Sequence, residues 1–421
     1  MKAVILAGGY GSRMGDLCKS VPKPLVEINS KPILQHQIET LRKQGVSDFL
    51  IVTGYLAQSI EEYFGNGDSL GVNISYYRES EPLGTAGALF KINMQEDFLL
   101  CNGDLIFDID LKSMTDFHSS NNALATLFVH PNNHPHDSVT LETDENSRVL
   151  RIYQKNEKAE FFQNLCNAGL QIVSPELLAI YDYKGKADFD RDVIMPAVKT
   201  GRIFAYSSSE YVHDAGTPER LKKSAEDLSS GLVASKSKRN KQKAVFVDRD
   251  GTLNIHKGYI TNPYDIELTD SAAEAINILH SLGYIVIMIT NQPVIARGEC
   301  TTENLKKIHC RLEMLLAEEK AFLDGIYYCP HHPDKGFDGE IKELKIVCSC
   351  RKPAPGLILQ AGQDFNVDMK KSFMVGDSLT DIEAGLNAGC TPIYIGSKEI
   401  KDISTFDSLK AFADHLSADL I

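Results

Sequence analysis

The stretch VFVDRDGTLN, residues 245–254, carries a short apolar run straight into two aspartates separated by one arginine. At the carboxyl end of a buried strand, Asp248 projects from the sheet edge where open α/β folds bind ligands, with Asp250 beside it. That arrangement suits a nucleophile with an acid partner. An ionised carboxylate can attack phosphorus if a divalent cation offsets the repulsion between two anions, and a second carboxyl can protonate the leaving alcohol and later activate water. Alone, the pair is equally compatible with a solvated turn or with a metal site lacking covalent chemistry. Downstream text narrows the choice: ITNQ sets Thr290 and Asn291 at the end of another apolar run, CRKP supplies Arg351 and Lys352, and VGDSLTD supplies Asp377 and Asp381 after a third.

Working outward, the chain has already begun once, with KAVILAGGYGSRM at residues 2–14. One domain rarely starts twice, and 421 residues exceed what a single hydrophobic core usually supports. Apolar runs alternate with helix-period stretches through about the first 110 residues, the rhythm of a mostly parallel sheet. Residues 229–243 read SSGLVASKSKRNKQK, whose serine-rich, basic composition is that of a linker. Without aromatic partners it is a poor nucleic-acid patch. A second βα series follows. The fold class expected is α/β, with two three-layer domains at 1–228 and 244–421 and no repeat relating them.

Hydrophobic residues at 43% and charged residues at 24% describe a globular protein with full cores. The net charge of −13 disfavours nucleic acid and anionic membrane, so an anionic substrate must be held by local cations, backbone amides or metal. No apolar run approaches the roughly 20 residues that cross a bilayer, and the N-terminus enters a strand directly, so a cytoplasmic protein is expected. Nine cysteines, an odd and scattered set, fit a reducing compartment. One cluster stands out: CPHHP and CSCRKP give Cys329-x-His331 and Cys348-x-Cys350 across a 16-residue loop, the donor set of a closed, structural zinc site. His332 is the alternative ligand.

In the first domain, Gly8, Gly9 and Gly11 follow the opening strand and let backbone amides approach an oligophosphate, with Arg13 as a fixed cation and Lys23 held between Pro22 and Pro24. The spacing does not match a dinucleotide fingerprint. LAGGYGSRM, PKPL, EPLGTAGAL, LLCNGDL, CNAGLQI and HDAGTPERL, in that order over about 225 residues, resemble the sugar-1-phosphate nucleotidylyltransferases. The resemblance implies a Rossmann-like mixed sheet in which Gly8, Gly9, Gly11 and Arg13 hold a nucleoside triphosphate and Lys23 neutralises phosphate. It further implies magnesium on Asp104 and Asp214, base reading by the segment with Glu81, Gly84 and Thr85, and sugar contacts from Asn167 and Gly169. Each has a plainer reading: Asp104 as a turn cap, Asn167 as an Asx bond within its own loop. Ser12 replaces the usual threonine. Gln154–Asn156 stands where the family has Glu-Lys-Pro, with Lys155 assigned to the sugar phosphate. GTAG resembles the guanylyl-specific members, which points to GTP.

DRDGT, TNQ, RKP and GDSLTD resemble the haloacid-dehalogenase-like phosphatases across the second domain, here without room for a large cap between Leu253 and Ser271. By that resemblance Asp248 is the nucleophile and Asp250 the general acid and base. Thr290 and Lys352 clamp the phosphate, with Asn291 and Arg351 in the binding set. Magnesium sits on Asp248, Asp377 and the Asp250 backbone carbonyl, and Asp381 orients the loop. With the zinc loop, DGIYYCPHHP, CRKPAPG and NQPVIARG look most like heptose 1,7-bisphosphate phosphatases, the histidinol-phosphate enzymes being close relatives. Pro293-Val294 and Ser378 depart from the pattern. The fusion then implies consecutive steps: loss of a 7-phosphate leaves a sugar 1-phosphate, which the first domain converts to a GDP-heptose for surface polysaccharide. Hexose 1-phosphate guanylylation beside an unrelated phosphatase, histidinol-phosphate hydrolysis and a scaffold with dead sites stay open, as does homo-oligomer formation.

Overall fold

The computed structural model describes residues 1–155, 157, 159–181, 183 and 185–418, without the side chains of Ser12 and Asp16. By contacts the chain divides into two compact units: Met1–His130, Leu141–Ile152 and Asn167–Arg239 form the first, and Pro131–Thr140, Tyr153–Cys166 and Asn240–Ile421 the second.

In the first unit the apolar run Lys2–Ala7 is a central strand of a nine-stranded sheet, parallel to Asp48–Thr53 on one side and Phe98–Asn102 on the other. Its residues are buried on both faces, as a strand covered by two layers must be. Cys166–Val173 runs antiparallel to Phe98–Asn102, which makes the sheet mixed. The helix Ile33–Arg42 turns Ile33, Leu34, Gln37, Ile38 and Leu41 into the core. Gln37 Nε2 donates to Asn102 O at 2.9 Å and Leu105 O at 2.8 Å, fixing the turn that carries Asp104. Leu105–Asp108 then pairs antiparallel with Tyr211–Asp214. Ala215 N donates to Asp104 O at 2.9 Å, and the ribbon thereby sets Asp104 and Asp214 side by side.

The stretch read as a linker is folded over its first part. It forms a helix at Leu232–Ser235, Ser237 is fully buried, and Lys238 N donates to Glu210 Oε1 at 2.8 Å. Arg239 pairs with Asp108. Composition signals low hydrophobicity but not these tertiary hydrogen bonds.

In the second unit six parallel strands lie in the order Gly325–Cys329, Tyr284–Asn291, Lys243–Val247, Phe373–Gly376, Thr391–Ile395, Ser404–Phe406. The strand order reverses between Lys243–Val247 and Phe373–Gly376, the switch point where such sheets open a crevice. Alternate residues feed two cores: Val245, Val247, Val286 and Met288 face one helical layer, and Ala244, Phe246, Ile285 and Ile287 the other. This is a three-layer sandwich. Between Leu253 and the helix Ala272–Ser281 stands only a one-turn 3-10 helix, Pro263–Asp265, so no large cap is inserted there. Within the same unit Asn164 N donates to Glu313 Oε2 at 3.3 Å on the helix Thr302–Glu318, and the Phe161 ring meets Tyr264 edge-on at 5.6 Å. No helix among the described residues is long and apolar enough to cross a membrane.

Candidate active sites

A cleft of about 420 Å³ opens at the carboxyl end of the strand Lys2–Ala7, lined by Gly8, Gly9, Gly11, Arg13, Lys23, Gly84, Thr85 and Asp104. Lys23 Nζ bonds to Asp104 and lies 3.8 Å from Asp214 Oδ1. Arg13 Nη2 stands 3.8 Å from Asp214 Oδ2, and Arg220 Nη1 2.8 Å from the same oxygen. Two carboxylates thus face three cations. Their oxygens are hard donors of the kind magnesium takes, and the cations compensate the charge of a polyphosphate. Gly216 makes the cluster physically attainable, since a Cβ there would sit 2.4 Å from Asp214 Oδ1 and 2.6 Å from Lys23 Nζ.

Of the residues expected to read base and sugar, Gly84 and Thr85 line this cleft, and Glu81, Asn167 and Gly169 are not among its lining residues. Thr85 Oγ1 accepts from Phe189 N at 2.7 Å and donates to Asp188 Oδ2 at 3.3 Å, so its hydroxyl ties two loops together. Glu81 is exposed, while its neighbour Pro82 lines the cleft. Asn167 accepts from Gly169 N at 3.2 Å, the local Asx bond, and its amide donates to Asp190 Oδ1 at 2.9 Å. Burial, then repulsion from Asp188, pushes Asp190 up to about 6. Lys155 packs with the second unit, where it is exposed and is not among the residues lining that unit's cleft. Asn156 lies outside the described residues. Sequence reading passed over Glu79, Asn102, Asp190 and Gly216. Glu79, Asn102 and Gly216 line the cleft. Asn102 and Gly216 stood within the quoted CNGD and DAGT motifs, whereas Glu79 and Asp190 carried no local signal.

At the switch point of the second unit a cleft of about 400 Å³ is lined by Asp248, Asp250, Thr290, Asn291, Arg351, Lys352 and Asp377, with His256 and Tyr259 on its rim. Asp248 follows its strand and anchors backward, its N–H bonded to Val375 O at 2.9 Å. Lys352 Nζ, buried, stands 2.6 Å from Asp248 Oδ1 and 2.6 Å from Asp381 Oδ1, and donates to Ile289 O at 2.9 Å. Asp381 also caps its own helix by accepting from Ser378 N at 3.1 Å and Ser378 Oγ at 2.6 Å. One carboxylate oxygen from each of Asp248, Asp377 and Asp381 lies within 4.8 Å of the others. Burial first, and Asp381 second, raises the pKa of both Asp248 and Asp377, a penalty a dication would relieve. The set therefore fits magnesium.

The carboxylate of Asp250 lies outside that cluster, held by Arg249, Asn254 and Gln292. Thr290 Oγ1 accepts from Gln292 Nε2 at 2.8 Å. Asn291 exchanges two bonds with the Lys352 backbone, at 3.1 and 3.0 Å, and so positions the lysine. Gly251 is required where it stands: its φ is +86°, and a Cβ there would come within 1.9 Å of Asp377 Oδ2. Gly251→Ala is expected to displace Asp377 and cut phosphatase kcat/KM by about 100-fold, since a misplacement near 1 Å costs that much. Circular dichroism checks that the fold persists, and nucleotidyl transfer is expected to be unchanged.

Cys329, His331, Cys348 and Cys350 converge on one point. Cys350 Sγ lies 3.2 Å from each of Cys329 Sγ, Cys348 Sγ and His331 Nδ1, while Cys329 Sγ is 3.6 Å from Cys348 Sγ and His331 Nδ1. A tetrahedral zinc with bonds of about 2.3 Å has edges of about 3.7 Å, so the donor set fits that ion with no position left over. His332 packs edge-on against Phe337 at 5.7 Å instead. The next residue after Cys350, Arg351, donates from Nη1 to His331 O at 3.2 Å.

Residues 2–231, more than half of the chain, match the nucleotidyl transferase family, and residues 349–417 match a HAD-hydrolase-like family. The D-glycero-beta-D-manno-heptose-1,7-bisphosphate 7-phosphatase of Yersinia pestis is 41% identical over 145 residues, covering 34% of this chain and 75% of that protein. Its counterpart in Pasteurella multocida is 43% identical over 148 residues, covering 35% and 77%. The chain belongs to the nucleotidyl transferase family and, downstream, to the HAD-like family of these phosphatases. Among solved structures, HddC from Yersinia pseudotuberculosis complexed with GMP-PN is 29% identical, covering 54% of this chain and 99% of that one with a TM-score of 0.47. D,D-heptose 1.7-bisphosphate phosphatase from B. bronchiseptica, complexed with magnesium and phosphate, is 29% identical, covering 42% and 99% with a TM-score of 0.37. The nucleotidyl transferase unit and the HAD-like phosphatase unit are both enzymes, carried on one chain.

Proposed function

We propose that the two sites run consecutive steps: the second removes the 7-phosphate of a D-glycero-D-manno-heptose 1,7-bisphosphate, and the first transfers GMP from GTP to the resulting heptose 1-phosphate. The observation that carries this is the fusion itself. Phosphatases 41% and 43% identical to the second unit are named for the 7-phosphate, and their product retains the anomeric phosphate that a sugar-1-phosphate nucleotidylyltransferase consumes.

In the second site Asp248 attacks phosphorus while Asp250 gives its proton to the departing C7 oxygen. Asp250 then takes a proton from the water that cleaves the aspartyl-phosphate. Lys352 and Thr290 hold the phosphate oxygens. Asp248, Asp377 and the Asp250 carbonyl would hold a magnesium ion, which would supply the charge that lets one anion approach another. In the first site the sugar phosphate oxygen attacks the α-phosphorus in line and pyrophosphate leaves, with the amides of residues 8–11, Arg13 and Lys23 taking up the charge. Asp104 and Asp214 would hold its magnesium. Asn167, Gly169 and Asp190 are the groups offered to sugar hydroxyls.

The zinc is structural in this reading, and the unoxidised thiolates it needs support a cytoplasmic location. Cys348→Ser is expected to lower zinc to well under one equivalent by elemental analysis and to reduce the melting temperature of the second unit. Unchanged stoichiometry sinks the assignment. The pathway is tested by giving the protein heptose 1,7-bisphosphate, GTP and magnesium. A GDP-heptose on anion-exchange chromatography is expected. Much faster phosphate release from histidinol phosphate, or no transfer to heptose 1-phosphate with any nucleotide, defeats it.

A further inference from the structure

The residue between the two aspartates is the least explained part of the second site. Arg249 is 1% exposed and is one of the largest fully buried side chains of the protein. Burying a guanidinium is unfavourable unless its charge is matched. Its match is the next residue: Arg249 Nε donates to Asp250 Oδ2 at 3.1 Å and Nη2 to Asp250 Oδ1 at 3.0 Å, a two-pronged fork. Nη1 bonds to nothing among the described residues, so the fork spends its directed contacts on one carboxylate.

Two neutral amides complete the hold. Asn254 Nδ2 donates to Asp250 Oδ1 at 3.1 Å, and Gln292 Nε2 donates to Asp250 Oδ2 at 3.1 Å. Gln292 also reaches Thr290 Oγ1 at 2.8 Å, which links the same frame to the phosphate clamp. Each oxygen of Asp250 therefore has two N–H donors, and its plane is set from both sides. By contrast Asp248, Asp377 and Asp381 form the acidic cluster from which Asp250 is excluded. A carboxylate withheld from the metal ligands and clamped in orientation can exchange a proton at a fixed place once one of its four N–H donors yields an oxygen lone pair to that proton.

We infer that Arg249 is a positioning residue for the proton-transfer step, its buried fork fixing the carboxylate of Asp250 against the leaving-group oxygen. The inference rests on the phosphatase reading above. In the step concerned the Asp248–phosphorus bond forms as the phosphorus–oxygen bond to the alcohol breaks. The electron pair goes to that oxygen, which takes the proton of Asp250. On hydrolysis a water gives its proton back to Asp250 and its hydroxyl to phosphorus, while the bond from Asp248 to phosphorus breaks and returns the Asp248 carboxylate.

The test exploits the leaving group. An alkoxide needs that proton, whereas 4-nitrophenolate departs without it, and kcat/KM reports the chemistry only up to release of the alcohol. Purified full-length protein with magnesium is compared on an alkyl phosphomonoester and on 4-nitrophenyl phosphate, as wild type, Arg249→Met, Arg249→Lys and Asp250→Asn. For Arg249→Met the expected loss is about 100-fold on the alkyl ester, against less than about 5-fold on the aryl ester. Asp250→Asn is expected to show the same split. Arg249→Lys should fall between, since a point charge cannot make the fork, and it carries the comparison if Arg249→Met fails to fold. Equal losses on both esters, or undiminished alkyl hydrolysis, overturn the inference. Should Asp250→Asn alone show the split, the phosphatase reading stands without this role for Arg249. A wild type inert toward both esters defeats the phosphatase reading itself.

Discussion

Asp248→Asn is expected to lower phosphate release by at least about 10⁴-fold, the scale on which removing a covalent nucleophile acts, while nucleotidyl transfer from a supplied sugar 1-phosphate continues. The amide nitrogen and neutral oxygen of asparagine cannot attack phosphorus, yet the side chain has the same shape and leaves the strand end intact. Lys352 keeps its ion pair with Asp381 at 2.6 Å, so the substitution strands no buried lysine. It also relieves the repulsion that Asp381 exerts on Asp248. The fold should therefore hold. Phosphate release and pyrophosphate release, measured on the same preparation, separate the two activities. Equal loss of both in a folded variant means that the two sites have been assigned to the wrong units.

Asp104→Ala has the complementary effect. With heptose 1,7-bisphosphate and GTP, product should accumulate as the sugar 1-phosphate, nucleotidyl transfer falling by about 10³-fold. Lys23 loses the carboxylate it bonds to and retains Asp214 only at 3.8 Å, so the lysine loses its anchor and the proposed magnesium site would lose one of its two carboxylates. The second cleft keeps Asp248, Asp377 and Asp381 and should release phosphate at the wild-type rate. Chromatography of products over a magnesium titration reads the outcome. Full transfer by the variant at low magnesium would show that Asp104 is no ligand.

Much of this site chemistry was visible in the chain as written. DRDGT after an apolar run, TNQ, CRKP and GDSLTD supply side chains that the second sheet gathers around one cleft. The paired C-x-H and C-x-C spacing likewise anticipated which four side chains converge, because residues two apart at a turn can reach one ion. Less visible were the supports. Glu79 lines the first cleft with no motif around it, and Gln37 orients the Asp104 turn from a helix about 65 positions upstream.

Local sequence determined the two strand-and-loop starts, the class of each sheet and the ligand types, since apolar periodicity and the donor chemistry of aspartate, lysine and cysteine are properties of short windows. Only tertiary structure decided which carboxylates cluster and which is held apart. Asp250 is two residues from Asp248 and yet faces Arg249, Asn254 and Gln292, whereas Asp377 and Asp381, about 130 residues away, meet Asp248. It also decided that 131–140 and 153–166 pack with the second unit and that 229–239 is folded with the first. The physical reason is the same in each case: a side chain's direction and its partners are set by strand order and by long-range hydrogen bonds, and neither leaves a mark on neighbouring residues in the chain.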